Sequence, residues 1–195
     1  YTDRNPRSRE MFARAQQSLP GGNTRTGTHM DPFPFYADRG EGVLLFDLDG
    51  HPLLDFVNNN TALILGHAHP AIVQALQQQL PKGTGFPRPL ALEVEMAELL
   101  RERIPSLERL RFCSSGTEAV MMALRMARAY TGKSRVIKFE DHFHGWSDYA
   151  VAGSAGIGGV PSETLSTMIV LPSNDISLVE KTLQDNDDVA AIIVE

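Results

Sequence analysis

The strongest chemical signal in the sequence is a run of small polar residues, Ser114-Ser115-Gly116-Thr117, between an apolar stretch and a helical pattern. A helix that begins here presents unpaired backbone N–H groups and the positive end of its dipole. The hydroxyl groups of Ser115 and Thr117 add donors, and Gly116 lets a ligand approach the backbone closely. The pattern predicts a phosphate site. The alternative is an ordinary N-cap, because Ser and Thr cap helices routinely, and the local pattern does not separate the two.

A second signal is Phe143-His144-Gly145, which follows a predicted strand at residues 136–139. The carboxyl ends of parallel strands open into the crevice where α/β proteins bind ligands. An aromatic ring at that place can stack on a planar cofactor, whereas a loop aromatic packed on the core is the simpler interpretation. A phosphate site and a stacking ring at two strand ends of one sheet would suit a single ligand.

A third candidate is Arg25, which follows the segment Pro20-Gly21-Gly22. The glycines disfavour regular structure and leave the guanidinium free to bind a carboxylate at two points. The alternative is a solvated arginine, which the local sequence alone favours.

Metal binding and thiol chemistry receive less support. The motifs His67-Ala68-His69 and His142-Phe143-His144 have a spacing that can place two imidazoles on one side of an extended segment. Neither pair comes with a complete ligand set, so we predict no metal site. Cys113 precedes a predicted helix start, where thiols become more acidic, but at the end of a predicted buried strand it is better explained by packing.

The predicted elements indicate an α/β protein. The first part contains helices at 8–19, 71–80 and 90–104, with short strands between residues 33 and 56 that turn at Asp49-Gly50. Strands and helices then alternate: strand 110–113, helix 117–130, strands 135–139 and 167–171, helix 176–183 and strand 189–194. Alternation of this kind predicts a mostly parallel sheet with helices on both faces. The segment between Tyr149 and Ser166, which contains the Gly-rich stretch from Ala152 to Gly159, is predicted to be a long loop. We expect a small α+β segment at residues 1–65 and part of a larger domain at 66–195.

Composition excludes several classes of protein. The formal net charge of -6 and a pI near 5.5 argue against a nucleic-acid-binding surface. No apolar run is long enough to cross a bilayer, and the first ten residues do not form a secretory signal. The single cysteine, Cys113, excludes an intrachain disulfide and favours a reducing compartment, so we expect a cytoplasmic protein.

Six motifs, taken in order, resemble those of the class III aminotransferases: Pro20-Gly21-Gly22, Arg39-Gly40-Glu41-Gly42, Asp47-Leu48-Asp49-Gly50, Leu65-Gly66-His67-Ala68-His69-Pro70, Ser114-Ser115-Gly116-Thr117-Glu118-Ala119 and Phe143-His144-Gly145. The resemblance extends over nearly the whole chain. Within the class, the sequence is similar to glutamate-1-semialdehyde aminomutases and to aminotransferases acting on β-amino acids.

The resemblance implies an incomplete type I pyridoxal-phosphate fold, with the active site between the two subunits of a homodimer. It also implies pyridoxal 5'-phosphate as the cofactor. Ser115, Gly116 and Thr117 would hold its phosphate, and Phe143 would lie against its pyridine ring with His144 beside it. Glu195 matches a glutamate near the cofactor.

For the substrate, the resemblance assigns carboxylate binding to Arg25. Asn60 falls in the substrate pocket, where aminomutases tend to carry an aromatic residue, and this departure counts against an aminomutase. The family's Schiff-base lysine and the aspartate that pairs with the pyridine nitrogen would both lie past Glu195. The chain would then contain no catalytic residue of its own, and we expect residues 1–195 alone to aggregate through an uncovered strand edge.

The expected function is that of an aminotransferase, which moves an amino group between an amino acid, β-amino acids included, and a keto acid. One alternative is an aminomutase of the glutamate-1-semialdehyde type, which shifts the amino group within one molecule. A second alternative is a non-catalytic fragment that retains a phosphate pocket.

Overall fold

The computed structural model describes residues 1–154 and 157–195, which divide into two compact units, Tyr1–Leu90 and Ala91–Glu195. Ala155 and Gly156, from the middle of the predicted Gly-rich loop, lie outside the described residues. The boundary expected between residues 65 and 66 stays a prediction. Within the described ranges, no helix combines the length and the apolar character needed to cross a bilayer.

The first unit contains a three-stranded antiparallel sheet and several helices. In chain order its elements are α1 (Pro6–Ala15), β1 (Ala37–Glu41), β2 (Leu44–Asp47), β3 (Pro52–Leu54), the single turn α2 (Asn58–Thr61) and α3 (Pro70–Gln79), with short 3-10 turns at Thr2–Arg4, Pro20–Gly22, Thr26–Thr28 and Leu80–Lys82. The sheet order is β1-β2-β3, with Leu45 opposite Leu53. The predicted hairpin and helices are confirmed, although α1 ends four residues earlier than predicted because residues 16–18 form a turn.

Two long-range contacts hold the N-terminal arm that carries Arg25. The Asp49 carboxylate, in the hairpin turn, accepts hydrogen bonds from the backbone N–H groups of Arg7 (2.8 Å) and Ser8 (3.0 Å). Burial alone would raise the pKa of Asp49, but these hydrogen bonds hold that pKa below its usual value. Farther along the arm, the Tyr36 hydroxyl donates to the Gly22 carbonyl at 2.6 Å. Asp49, which is 41 residues from Ser8 in the sequence, therefore caps the N-terminus of α1.

The second unit alternates helices with a parallel sheet. Its elements are α4 (Ala91–Arg103), α5 (Gly116–Thr131), β4 (Arg135–Phe139), α6 (Ser162–Leu165), β5 (Met168–Leu171), α7 (Ile176–Asp185) and β6 (Val189–Ile192). The strand order is β5-β4-β6, and both pairings are parallel, which confirms the predicted parallel sheet. The helical turn α6 lies inside the stretch that the sequence predicted as loop.

The core of this unit lies around the central strand β4. Val136 and Ile137 are both fully buried, and because successive side chains of a strand point to opposite faces, both faces of the sheet are covered there. Leu124 of α5, Ala152 and Met168 pack together with Val136. This packing fixes α5 against the sheet and sets the direction in which its first turn points.

Lys138, also on β4, is buried and fixes the chain beyond the strand. Its Nζ donates to the carbonyls of Ala150 (2.8 Å) and Ala152 (2.9 Å). Burial lowers the pKa of the Lys138 ammonium. The two hydrogen bonds compensate part of its desolvation and hold the turn at residues 150–152 against the sheet.

The predicted strand at residues 110–113 is wrong. This segment pairs with no strand in the described part of the chain, and residues 111–113 are exposed, Phe112 at 46%. Apolar character alone does not make a strand, because the backbone needs a neighbour to receive its hydrogen bonds. The expectation that Cys113 packs at the end of a buried strand is therefore also wrong, and this free cysteine is exposed.

Candidate functional site

The first turn of α5 carries the residues that the sequence predicted as a phosphate site. Ser115 is the N-cap, with extended backbone, and its Oγ accepts a hydrogen bond from the Glu118 N–H at 3.2 Å. The Glu118 side chain turns back and accepts from the Ser114 N–H at 2.7 Å. Ser115 therefore caps the helix, and the capping bond uses its oxygen only as an acceptor.

The backbone N–H groups of Gly116 and Thr117 have no acceptor among the described residues. A Cβ added at Gly116 would meet no atom within 4 Å, so the space in front of the turn is open. Ser115 and Gly116 are exposed and Thr117 is half-buried. The hydroxyl protons of Ser115 and Thr117 likewise donate to no acceptor in these parts of the chain. The turn thus offers four donors and the positive end of a 16-residue helix to an anion.

The loop after β4 lies directly against this turn. The Trp146 N–H donates to Thr117 Oγ1 at 3.2 Å, which leaves the hydroxyl proton of Thr117 available. Gly145 is buried and has φ +94°, and a Cβ there would lie 2.5 Å from Thr117 Oγ1 and 2.9 Å from Thr117 Cα. Only glycine allows this approach, because any side chain would collide with the helix and would strain the backbone.

The same loop brings an aromatic ring near the open turn. Phe143 is 58% exposed, and its ring meets that of Trp146 edge to face, with centroids 5.7 Å apart. Its backbone N–H donates to Glu195 Oε2 at 2.6 Å, and the Glu195 N–H donates to His142 Nδ1 at 3.1 Å. Glu195 follows β6, so this reciprocal pair of hydrogen bonds joins the carboxyl ends of two neighbouring strands.

His144 is the buried member of this loop. Its Nε2 has no hydrogen-bond partner in the described part of the chain. Burial first, and then the nearby charges of Lys138 and His142, lower the pKa of His144, whereas Glu195 acts in the opposite direction. The lower pKa favours the neutral imidazole, and a buried polar atom without a partner can accept or donate one hydrogen bond to a ligand.

A phosphate attached to a planar ring fits this arrangement. The dianion would meet the four donors at the start of α5, and the ring would meet the exposed face of Phe143. The predicted cofactor-binding residues that the structure brings together are Ser115, Gly116, Thr117, Phe143, His144 and Glu195. The link between the two halves is Trp146, which sequence reasoning missed although it directly follows the Phe143-His144-Gly145 motif.

Arg25 and Asn60, the predicted substrate-binding residues, lie in the first unit. The Arg25 Nη1 donates to Asn59 Oδ1 at 2.8 Å. Asn59 and Asn60 belong to α2, in which all four residues from Asn58 to Thr61 have φ between +50° and +66°. Left-handed backbone costs on the order of 1–2 kcal/mol per residue for most L-residues, and Asn tolerates it best after Gly. Strain of this kind persists where a structure holds a functional group in place.

One histidine of each histidine motif has a hydrogen-bond partner within the protein. His67 Nε2 hydrogen bonds with Asp55 Oδ2 at 2.7 Å, and His142 accepts from Glu195 as described above. The described residues contain no group of three or more His, Cys, Asp or Glu side chains placed to hold a metal ion.

Comparison with known sequences identifies one family. Residues 26–195 match the family model for class-III aminotransferases. A glutamate-1-semialdehyde 2,1-aminomutase from Methanopyrus kandleri is 39% identical over 100% of this chain and 48% of its own length. The chain spans about half the length of the curated relatives it matches.

Solved structures give the same result. An omega-transaminase from Sphaerobacter thermophilus is 45% identical, with a TM-score of 0.91 over 95% of this chain and 46% of that one. A transaminase with PLP bound is 38% identical, with a TM-score of 0.93 over 96% and 46%. A beta-phenylalanine aminotransferase from Variovorax paradoxus is 36% identical, with a TM-score of 0.88 over 99% and 44%.

Replacing Gly145 with alanine should push the loop away from α5. The new Cβ would collide with Thr117, and φ +94° is strained for alanine, so we expect a loss of stability on the order of 1–3 kcal/mol in the full protein. Gly158→Ala is the control, because it meets no atom within 4 Å and has no positive φ, and it should change stability by less than about 0.5 kcal/mol. Equal unfolding free energies for both variants in denaturant titrations would contradict the contact.

The pH dependence of stability should report the neutral state of His144. In the unfolded chain this histidine takes up a proton near its ordinary pKa of 6.5, whereas the folded protein resists protonation. The unfolded state then binds more protons, so stability should fall as pH drops below about 6.5. Melting temperatures between pH 8 and pH 5 should fall less in His144→Gln than in the unmodified protein. The control is His29→Gln at an exposed histidine, and its melting temperatures should depend on pH as those of the unmodified protein do. If the melting temperatures of His144→Gln show that same pH dependence, the assignment is refuted.

Proposed function

The chain belongs to the class III aminotransferase family and has part of its type I fold, and on that premise we propose that the full protein is a pyridoxal-phosphate-dependent aminotransferase. It would transfer an amino group between an amino acid and a keto acid. The observation that carries the proposal is the open start of α5, where two N–H groups and two hydroxyl groups donate to no acceptor in the described residues and the loop that carries Phe143 contacts Thr117. The relative with PLP bound supports the same cofactor.

In this proposal Ser115, Gly116 and Thr117 bind the phosphate of the cofactor. A phosphate dianion accepts hydrogen bonds from backbone N–H groups and is stabilised by the positive end of the helix dipole. Because the helix is already fixed in position, binding the phosphate costs little conformational entropy. Thr117 would have a double role, since its oxygen holds the Trp146 N–H while its proton reaches the phosphate.

The cofactor ring would lie against Phe143, with His144 and Glu195 near it. When bound, the cofactor supplies a conjugated system that takes up the electrons of the bond broken at the substrate carbon. The protein's part is to orient that ring and to exclude water. Phe143 offers an exposed aromatic face, while the hydrogen bonds to Glu195 fix the backbone from which that face projects. Neutral His144 would hydrogen bond with the ring substituents without adding charge.

We place the lysine that holds the cofactor covalently outside residues 1–195. The chain contains four lysines, and the resemblance matches none of them to that position: Lys82, Lys133, Lys138 and Lys181. Lys138 is the buried one, and its amine already donates to the carbonyls of Ala150 and Ala152. A nucleophilic amine needs a free lone pair directed at the cofactor, so we assign Lys138 a structural role.

For the substrate, we propose that Arg25 binds a carboxylate and that Asn60 lines the pocket. Only one of the five guanidinium N–H donors of Arg25 is used by an acceptor in the described residues, so an edge remains available for two-point binding. The beta-phenylalanine aminotransferase, which matches 99% of this chain over 44% of its own length, is named for a β-amino acid. We therefore include β-amino acids among the donors to be tested.

An aminomutase is the second candidate, because the curated relatives with high identity are named glutamate-1-semialdehyde 2,1-aminomutase. Asn60, in place of the aromatic residue expected for that activity, favours the aminotransferase. A polypeptide that only binds phosphate is a third candidate, which the assays below also test.

We further propose a homodimer located in the cytoplasm. Several large apolar side chains are almost fully exposed, and surface of this kind is usually covered by other polypeptide: Phe56 at 92%, Ile64 at 88% and Tyr130 at 93%. Cys113, the single cysteine, is exposed as a thiol, which a reducing compartment would preserve.

Thr117→Val should weaken cofactor binding in the full protein. The variant keeps the side-chain volume but removes a hydroxyl donor to the phosphate, and a hydrogen bond to a charged group contributes about 1.5–3 kcal/mol, or roughly 10- to 100-fold in the dissociation constant. The matched control is Thr131→Val at the other end of α5, whose hydroxyl donates to the Ala127 carbonyl. Titration of the apoprotein with pyridoxal 5'-phosphate, followed by absorbance, measures both. If Thr117→Val binds as tightly as Thr131→Val, the phosphate assignment is wrong.

The need for a second substrate separates the candidate activities. An aminotransferase given only an amino donor should stop after one turnover per active site and should resume when a keto acid is added. An aminomutase continues on a single substrate, and a phosphate-binding fragment shows no turnover. The measurement is donor consumption with and without pyruvate or 2-oxoglutarate, and sustained consumption of one substrate alone would replace the aminotransferase with the aminomutase.

A further inference from the structure

We propose that Asn59 is a positioning residue that orients the Arg25 guanidinium for the substrate carboxylate, and that the Asp55–His67 pair fixes Asn59 in turn. This inference rests on the proposed role of Arg25. It assigns a function to Asn59 and to His67, the first histidine of the Gly66-His67-Ala68-His69 motif, neither of which the proposed chemistry uses directly.

The backbone of Arg25 is fixed on both sides. Its N–H donates to Asn23 Oδ1 at 2.8 Å, and its carbonyl accepts from Thr28, from the N–H at 3.0 Å and from Oγ1 at 2.8 Å. What remains free is the long side chain, whose rotamer entropy opposes any single orientation. The hydrogen bond from Nη1 to Asn59 Oδ1 selects one orientation before a substrate arrives.

Asn59 reaches Arg25 because its backbone is left-handed. With φ +50° inside a turn in which Asn58, Asn60 and Thr61 also have positive φ, its side chain leaves the chain in a direction that ordinary helical or extended backbone would not give. Asn combines tolerance of this backbone with an amide oxygen that can accept from a guanidinium. Asn58 shares the backbone but makes no side-chain hydrogen bond with the described residues.

The left-handed turn is held by the Asp55 carboxylate. Its Oδ1 accepts from the N–H groups of Val57 (3.0 Å) and Asn58 (2.8 Å), at the entry to the turn. Its Oδ2 hydrogen bonds with His67 Nε2 at 2.7 Å. The side chains of Asp55 and His67 are 11% and 18% exposed, so solvent competes little for these bonds.

His67 is itself fixed to the sheet of the first unit. Its N–H and carbonyl exchange hydrogen bonds with Gly42 at 2.8 and 2.9 Å, and its ring lies against Gly40, where any Cβ would collide with it. A continuous path of hydrogen bonds therefore runs from the hairpin that contains Gly42, through His67 and Asp55, to the turn that carries Asn59. Its last bond is to the guanidinium of Arg25.

The test uses the full-length protein loaded with its cofactor and the amino donor with the highest turnover in a panel of α- and β-amino acids. Asn59→Gly removes the amide but keeps a residue that accepts positive φ. Because one hydrogen bond is lost, we expect KM for the amino acid to rise about 3- to 10-fold, with kcat and the cofactor dissociation constant within about 2-fold of the unmodified protein. Asn58→Gly makes the same backbone change without touching Arg25, and it should leave KM within about 2-fold.

The second arm combines Asn59→Gly with Arg25→Ala. If Asn59 acts through Arg25, adding Asn59→Gly to Arg25→Ala should raise KM no further than Arg25→Ala alone does. A purely structural role would give the same KM increase in both backgrounds, and that result would overturn the inference, as would equal KM values for Asn59→Gly and Asn58→Gly. If Arg25→Ala itself leaves KM unchanged, or if no donor in the panel reacts, the proposed function fails first, and this inference fails with it.

Discussion

The contact between the first turn of α5 and the loop after β4 is the interaction on which the rest of the candidate site depends. The N–H groups of Gly116 and Thr117 can bind an anion only if α5 points its first turn at the carboxyl edge of the sheet. Packing of Leu124 on Val136 gives that direction. Gly145 then lets the loop approach Thr117 closely enough for the Trp146 hydrogen bond, and the same loop carries Phe143. The phosphate site and the ring site are therefore one structure.

The two units hold their functional groups by different physical means. In the second unit, a regular helix and parallel strands supply rigidity, and a glycine supplies close approach. In the first unit, Arg25 is on irregular backbone, and rigidity comes from hydrogen bonds to side chains of short polar residues. A left-handed turn of non-glycine residues is held there by Asp55, which accepts from the N–H of its first residue, Asn58, and from that of the preceding Val57. Without the Asp55 carboxylate, no hydrogen bonds from that side chain would compensate the strain of the positive-φ backbone.

The sequence predicted what depends on local pattern and missed what depends on partners. The parallel sheet, the start of α5 and the position of Phe143 follow from periodicity and from residue types that are typical of turns and caps. The strand at residues 110–113 was wrong because a strand exists only beside another strand. The bond from Asn59 to Arg25 spans 34 residues, and no local pattern indicates which asparagine of three faces the guanidinium. The only signal was the run itself, since adjacent asparagines are compatible with left-handed backbone.

The two interpretations of Ser115 and Thr117, as helix caps and as phosphate ligands, are compatible because they use different parts of the same hydroxyl group. A cap needs a lone pair that accepts an N–H of the helix, as Ser115 does from Glu118, and the Thr117 oxygen likewise accepts the Trp146 N–H of the neighbouring loop. A phosphate needs a proton donor, and a hydroxyl with an occupied lone pair still has its proton to give. The bonds that these oxygens accept also fix the side-chain rotamers, and Gly116 leaves room for a ligand beside them. Hydroxyl residues at this place satisfy folding and binding together, whereas a carboxylate could cap the helix but would repel a dianion.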